Sequence, residues 1–201
     1  KMNKNEDKIR CPWCLNDPIY IKYHDEQWGL PVHDELKHFE FLTLETFQAG
    51  LSWITMLRKR DNFAKAFSNF EPEKIVKYDD KKINELLNDK GIIRNKLKIE
   101  STIKNAKVFL KIQQKFGSFD NFIWSFTGGK QIVHQNHDDK QIPVYNDLAE
   151  KISRELKKEG FSFIGPTIVY AHIQAIGIVN DHIVTCFRYE EVQRGIGTII
   201  E

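Results

Sequence analysis

The stretch GFSFIGPTIVYAHIQAIGIVNDHIVTC, residues 160–186, decides how this chain is read. Gly160 closes one apolar-periodic helix, in which Leu148, Ile152 and Leu156 recur every fourth residue. Gly165-Pro166 opens another that runs to about Gly177, because proline suits a first helical turn and glycine a terminus. The result is a helix, a Gly-bounded turn and a second helix. Amides at the start of that second helix, around Gly165 and Thr167, suit a phosphate and need read no base. Such a turn occurs in many helical bundles, so its meaning depends on the rest of the chain. The stretch ends in HIVTC, where His182 and Cys186 stand four apart and would share one face of a short helix.

Outward from there the 3.6-residue period dominates, and period-2 alternation is almost absent. Residues 34–49 read as a helix anchored by Leu36, Phe39, Leu42 and Phe47. Ser52 is placed to cap the next, with Trp53, Met56 and Leu57. Pro72 opens a short helix through Tyr78, and Asp79 or Asp80 caps one carrying Ile83, Leu86 and Leu87. After Gly91 comes a longer helix with Ile99, Ile103, Ala106 and Leu110 on one face, and Ser118 opens another around Phe122, Ile123 and Phe126. Residues 127–143 show no sustained period and read as a loop. The fold class is all-α.

At 201 residues, 41% hydrophobic and 29% charged, the chain has material for a sizeable core, in which 14 Phe stand out. No run of about 18 apolar residues offers a membrane span. The start is polar and lacks the apolar heart of a secretory signal. Three Cys in such a chain point to thiols or metal ligands in a reducing cytoplasm, where disulfide scaffolds are rare. The net charge of +2 is uninformative, but residues 90–115 hold Lys90, Arg94, Lys96, Lys98, Lys104, Lys107, Lys111 and Lys115 against Glu100. That excess suits a polyanion, although a solvated helix face has the same composition.

Two segments hold candidate metal ligands. Cys11 and His24 bracket CPWCLNDPIYIKYH, and His182 with Cys186 lies near the other end. Together they would make a closed Cys2His2 tetrahedron with no vacancy for water, a structural geometry. Spacing leaves two questions open: Cys14 forms a C-x-x-C pair with Cys11 and competes for a place, and buried Cys and His are common without any ion.

Glu45 is the most informative single residue. Its helix face carries Phe41, Leu42 and Ala49, where a carboxylate is out of place. It reads either as a buried ion pair or capping contact, or as an acid facing a ligand between aromatic walls. Tyr23, Trp53, Trp13 and Trp28 are the aromatics nearest in the pattern, each by itself as consistent with core as with a ligand wall. An acid among aromatics is the composition used to hold a planar base extruded from DNA.

Taken together and in order, CPWCLNDPIYIKYHDEQWG, LETFQAGLSWITMLRKR, GIIRNKLKI, GFSFIGPTIVYAHIQAIGIVNDH and HIVTC resemble the 3-methyladenine DNA glycosylase I (TAG) family, from Cys11 to about Phe187. The resemblance implies a helix-hairpin-helix DNA glycosylase-like helical bundle, with the hairpin in residues 160–171 and a zinc site joining the N- and C-terminal segments. It puts one structural Zn2+ on Cys11, His24, His182 and Cys186, in preference to Cys14. It puts the catalytic base pocket on Glu45, Tyr23 and Trp53 with Trp13 nearby, Leu51 at the lesion, and Gly165 and Thr167 on DNA. The implied organisation is a polar extension (1–10), a zinc-containing glycosylase domain (11–189) and a tail (190–201). The implied activity is hydrolysis of the N-glycosidic bond of 3-methyladenine in double-stranded DNA, releasing the free base as product and leaving an abasic site, by a protein expected to be monomeric and cytoplasmic. Asp181 falls where other superfamily members often keep a catalytic Asp; beside His182 it reads instead as orienting a zinc ligand or capping a helix. Two other classes compete: a non-catalytic DNA-binding hairpin module, and a zinc hydrolase, which would need an open coordination position.

Overall fold

The computed structural model describes residues 8–194 and the backbone of residues 198–200. Residues 1–7 of the expected polar extension, and residues 195–197 and 201 of the expected tail, lie outside the described residues. Helix boundaries follow local chemistry closely. Helix α1 (Pro18–Glu26) starts on Asp17, whose carboxylate accepts from the Ile19 amide. Helix α2 (Glu35–Gln48) is capped the same way by Asp34 through the Lys37 amide. Helix α3 (Trp53–Ala66), the short α4 (Pro72–Ile75) and α5 (Asp80–Asn88) follow, the last capped by Asp79. The long α6 (Lys96–Phe116) begins at Asn95 and stops at Gly117, and Ser118 caps α7 (Phe119–Ser125). Asn146 caps α8 (Asp147–Glu159), which ends on the left-handed Gly160; α9 (Pro166–Ala175) and a final turn, α10 (Arg188–Glu191), complete the helices. None of them is long and apolar enough to cross a membrane among the described residues.

Helix α2 is the axis of the core, buried continuously from His38 to Phe47. The phenylalanines hold its neighbours to it: Phe39 meets Phe109 of α6 at 5.2 Å, Phe47 meets Phe63 of α3 at 4.9 Å, and Phe109 stacks on Phe119 of α7 at 4.6 Å. Offset and edge-on rings at these separations add attraction beyond the area they bury. Leu36, expected as an anchor, is exposed. Its neighbour Glu35 turns inward instead, accepting from the Phe119 and Asp120 amides at the start of α7. Leu36 is thereby rotated to solvent.

Two expectations fail locally. Residues 127–143 contain a strand, β1 (Gln131–Val133), which pairs in parallel with β2 (Val179–Asn180) on one side and β3 (Thr198–Ile200) on the other. All three β1 residues are buried, so no alternation advertises it, and its partners are distant in sequence. The short helix expected over residues 182–186 is instead a turn, with the Cys186 amide donating to the Ile183 carbonyl. Ile183, Val184 and Thr185 are successive β-branched residues, which resist helix, and the Val184 amide is engaged by the Asn136 carbonyl.

The N-terminal segment is locked onto the end of α9. The Val32 amide donates to the Ile176 carbonyl, and the buried Gln131 side chain donates to the Gly29 and Gly177 carbonyls. Gly177 has φ +75°, and a Cβ there would lie 2.4 Å from the Leu30 carbonyl carbon. Only glycine admits this approach. It carries Trp28 and the end of α1 up against the segment that follows β2.

Candidate active site and metal centre

Cys11, His24, His182 and Cys186 converge, fully or almost fully buried, with their ligand atoms all within 4.8 Å of one another. Cys11 Sγ is 3.5 Å from His182 Nδ1, and Cys186 Sγ is 3.4 Å from His24 Nε2 and 3.6 Å from His182 Nδ1. Metal bonds of ~2.0 Å to nitrogen and ~2.3 Å to sulfur give a tetrahedron with edges of roughly 3.5 Å, which these separations match. The remaining ring nitrogens are held from behind. His24 Nδ1 meets Asp25 Oδ1 at 2.9 Å, with Asp25 paired to Arg10, and His182 Nε2 donates to the Trp28 carbonyl at 2.9 Å. Each imidazole thus turns a defined nitrogen inward, the outer support that metal-ligating histidines carry. Contacts from Cys11, His182 and His24 hold the Cys186 thiol well below the ordinary thiol range. The cluster fits a metal ion. Cys14 stays outside it, its thiol donating to the Cys11 carbonyl.

Against this centre lies a cavity of about 470 Å³. Trp13 and Trp28 are the shared wall: their rings pack 5.0 Å apart, Trp13 touches the His24 ring at 5.5 Å and Trp28 the His182 ring at 4.7 Å. Tyr23 from α1 and Trp53 from α3 face the same space, ring centres 5.7 Å apart. Glu45 reaches it from α2. Its carboxyl is buried, Oε2 has no hydrogen-bond partner, and burial pushes its pKa up to about 8. The ion-pair and capping readings of Glu45 find no partner among the described residues. Burial, and then the Glu45 charge beside it, hold the Tyr23 hydroxyl protonated far above its ordinary range. The Trp13 indole N–H also lacks an acceptor. A planar heteroaromatic guest with donors and acceptors on its edge would satisfy these groups and stack between the rings.

Several lining residues were not found by sequence reasoning. Tyr20 stands three residues before Tyr23 on the same helical face, a signal that was available. Its hydroxyl accepts from the Ile54 amide at 3.1 Å, the capping role expected of Ser52, whose hydroxyl meets Thr55 instead. Gln48, three residues after Glu45 on α2, carried the same signal, whereas Gln174 and the 139–142 segment line the cavity through tertiary packing alone.

The groups expected at DNA are not part of the Cys/His cluster. Leu51 is 39% exposed on the turn between α2 and α3, beside Gly50 at φ +81°. Gly165 precedes α9 with open space on its Cα, and Thr167 is exposed in the first turn. The hairpin is braced from α6: Asn105 exchanges two hydrogen bonds with the Ser162 backbone, and Lys104 donates to the Ser162 hydroxyl. The basic stripe is partly spent inside the protein. Lys98 is buried and donates to the Phe47 and Ala49 carbonyls, while Lys111 and Lys115 pair with Glu159. Asp181 is also internal, with four hydrogen-bond partners among the described residues and no hydrogen bond to the His182 ring; the Trp28 carbonyl orients that ring. Burial pushes the Asp181 pKa up, and hydrogen bonds from His134, Tyr170 and Gln174 bring it below the usual carboxylate range.

The chain is similar along most of its length to proteins of known activity. The methyladenine glycosylase family model matches residues 13–189. DNA-3-methyladenine glycosylase 1 of Escherichia coli (strain K12) is 43% identical over 180 residues, 90% of this chain and 96% of that protein. The DNA-3-methyladenine glycosylase of Haemophilus influenzae is 44% identical over 177 residues, 88% of this chain and 96% of that one. Among solved structures, 3-methyladenine DNA glycosylase I (TAG) from Staphylococcus aureus, studied for its 3-methyladenine recognition, superposes with a TM-score of 0.87. It is 36% identical and covers 90% of this chain and 96% of its own.

Proposed function

The chain belongs to the methyladenine glycosylase family, and from that premise we propose that it releases 3-methyladenine from alkylated double-stranded DNA by hydrolysing the N-glycosidic bond. The observation that carries this reading is Glu45: a buried carboxyl with an unpartnered oxygen, facing a cavity walled by aromatic rings. Methylation at N3 leaves the base cationic within DNA and its glycosidic bond already weak. The C1′–N bond breaks with its electron pair going to the departing base, which leaves neutral. Water supplies hydroxide to C1′, its proton goes to solvent, and an abasic site remains. Little leaving-group protonation is needed, so interactions that favour the departing base over the intact nucleotide can carry much of the rate.

In this reading Glu45 hydrogen-bonds the base edge and complements its charge, Trp53 stacks on it, and Tyr23 and Trp13 shape the pocket. Leu51, exposed on its turn, fills the stack the base has left, an apolar wedge of the kind DNA-deforming proteins use. The amides at Gly165 and Thr167 take backbone phosphate. The metal proposed for Cys11, His24, His182 and Cys186 is zinc, which a tetrahedral Cys2His2 set suits. Held by these four side chains, the ion would have no open position and would supply folding energy and no bond chemistry. This argues against a zinc hydrolase.

Incubating the protein with methylated duplex DNA and identifying what is released tests the activity. Free 3-methyladenine with an unbroken, heat-labile strand is the expected result. Binding without base release would leave a non-catalytic DNA module, and direct strand nicking would replace hydrolysis with another reaction.

A further inference from the structure

The Asp181 carboxylate, 1% exposed, joins two parts of the chain at the end of β2. On one oxygen it meets His134 Nδ1 at 2.6 Å and the Asn136 amide at 3.0 Å, both from the segment after β1. On the other it accepts from the Tyr170 hydroxyl at 2.5 Å and the Gln174 amide Nε2 at 2.8 Å, both from α9. Of these four partners, Gln174 also lines the cavity. A primary amide has one donor end and one acceptor end, and a carboxylate offers only acceptors. The Gln174 amide must therefore give its nitrogen to Asp181, which turns its carbonyl oxygen away. That oxygen, Oε1, has no partner among the described residues. A flipped amide would set a carbonyl against a carboxylate already occupied by Tyr170, with nothing to donate between them.

We propose that Gln174 is a base-recognising acceptor of the cavity, taking an N–H of the bound base on Oε1, and that Asp181 is the positioning residue that fixes this orientation. The inference rests on the base-binding reading of the cavity and deepens it. The base is read from two helices, by the acid of α2 and by an amide of α9. It also gives the buried Asp181 a role distinct from direct chemistry: it acts on the base through Gln174.

The test measures binding of free 3-methyladenine by calorimetry, and binding of undamaged duplex DNA, for wild type, Gln174→Met, Asp181→Asn and the double variant. Methionine keeps the length of the side chain and removes the amide. Gln174→Met should lose roughly tenfold in base affinity, the effect of one hydrogen bond, with affinity for undamaged DNA unchanged. Asp181→Asn should lose a similar factor, and the double variant should be no weaker than Gln174→Met, because a positioning effect disappears with the group it positions. Wild-type base affinity in Gln174→Met would overturn the acceptor role. Losses that add in full would overturn the positioning role. Gln174→Met decides the first point even where Asp181→Asn melts below the assay temperature. A wild-type protein that neither binds 3-methyladenine nor releases it would overturn the reading of the cavity itself, and this inference with it.

Discussion

Glu45 sits within the continuously buried run of the core helix, and the protein keeps a carboxyl there with an unpartnered oxygen. Its pKa near 8 in the fold, against the ordinary carboxylate value, makes its effect on stability a function of pH. Between the ordinary range and pH 8 the folded state holds a proton that the unfolded state has lost. Stability therefore falls as pH rises through that window, and the full penalty is present above it. Glu45→Gln removes the titration. Its advantage over wild type in urea unfolding should be near zero at pH 4.5 and grow to the order of 4 kcal/mol by pH 8.5. A constant offset across that range would show that Glu45 is not desolvated as described. The same variant should lose affinity for 3-methyladenine while binding undamaged DNA as before; equal loss on both would make Glu45 a scaffold residue.

At the scale of elements, the turn that carries Leu51 depends on a residue the sequence placed on a different surface. Lys98 stands in the basic stripe, yet its ammonium is buried under the C-terminal end of α2, bonded to the Phe47 and Ala49 carbonyls. A cation there satisfies two terminal carbonyls and meets the negative end of the helix dipole. Lys98→Met should cost about 1–3 kcal/mol in chemical denaturation, because two buried acceptors lose their donor. An unchanged midpoint would mean that water serves those carbonyls equally well. The junction at Gly177 is less forgiving. Gly177→Ala would force a Cβ into the Leu30 carbonyl and hold alanine at φ +75°, so a loss of at least about 3 kcal/mol is expected. Near-normal melting of that variant would contradict the close approach of residues 30–32 to the end of α9.

For the molecule as a whole, the cluster of Cys11, His24, His182 and Cys186 brings residue 11 beside residue 186, its histidine rings back the cavity wall at Trp13 and Trp28, and the proposed metal would tie these parts together. Metal bound to such a set in small peptides contributes on the order of ten kcal/mol to folding. Stripping it with a chelator should therefore lower the melting temperature sharply, and added zinc should restore it. Full thermal stability after verified metal removal would rule out a structural ion. The wall that the ligand histidines share with the cavity adds a second expectation: partial metal loss should weaken base binding before the helices unfold, read as loss of 3-methyladenine affinity at unchanged far-ultraviolet circular dichroism.

By itself the sequence determined most of the helices, the caps at Asp79 and Ser118, the break at Gly160, and the oddity of Glu45. These are local matters, set by side chains within a few residues of one another. Ordered motifs along the chain also carried the family. Spacing left Cys11 and Cys14 in competition, and the structure places Cys11 in the cluster as the family resemblance implied. Tertiary structure alone decided that β1 is a strand between distant partners, that Lys98 serves the inside of the protein, and that Asp181 meets Gln174 at the cavity. A hydrogen bond across most of the chain leaves no periodicity behind it. Its partners become legible only when the backbone brings them together.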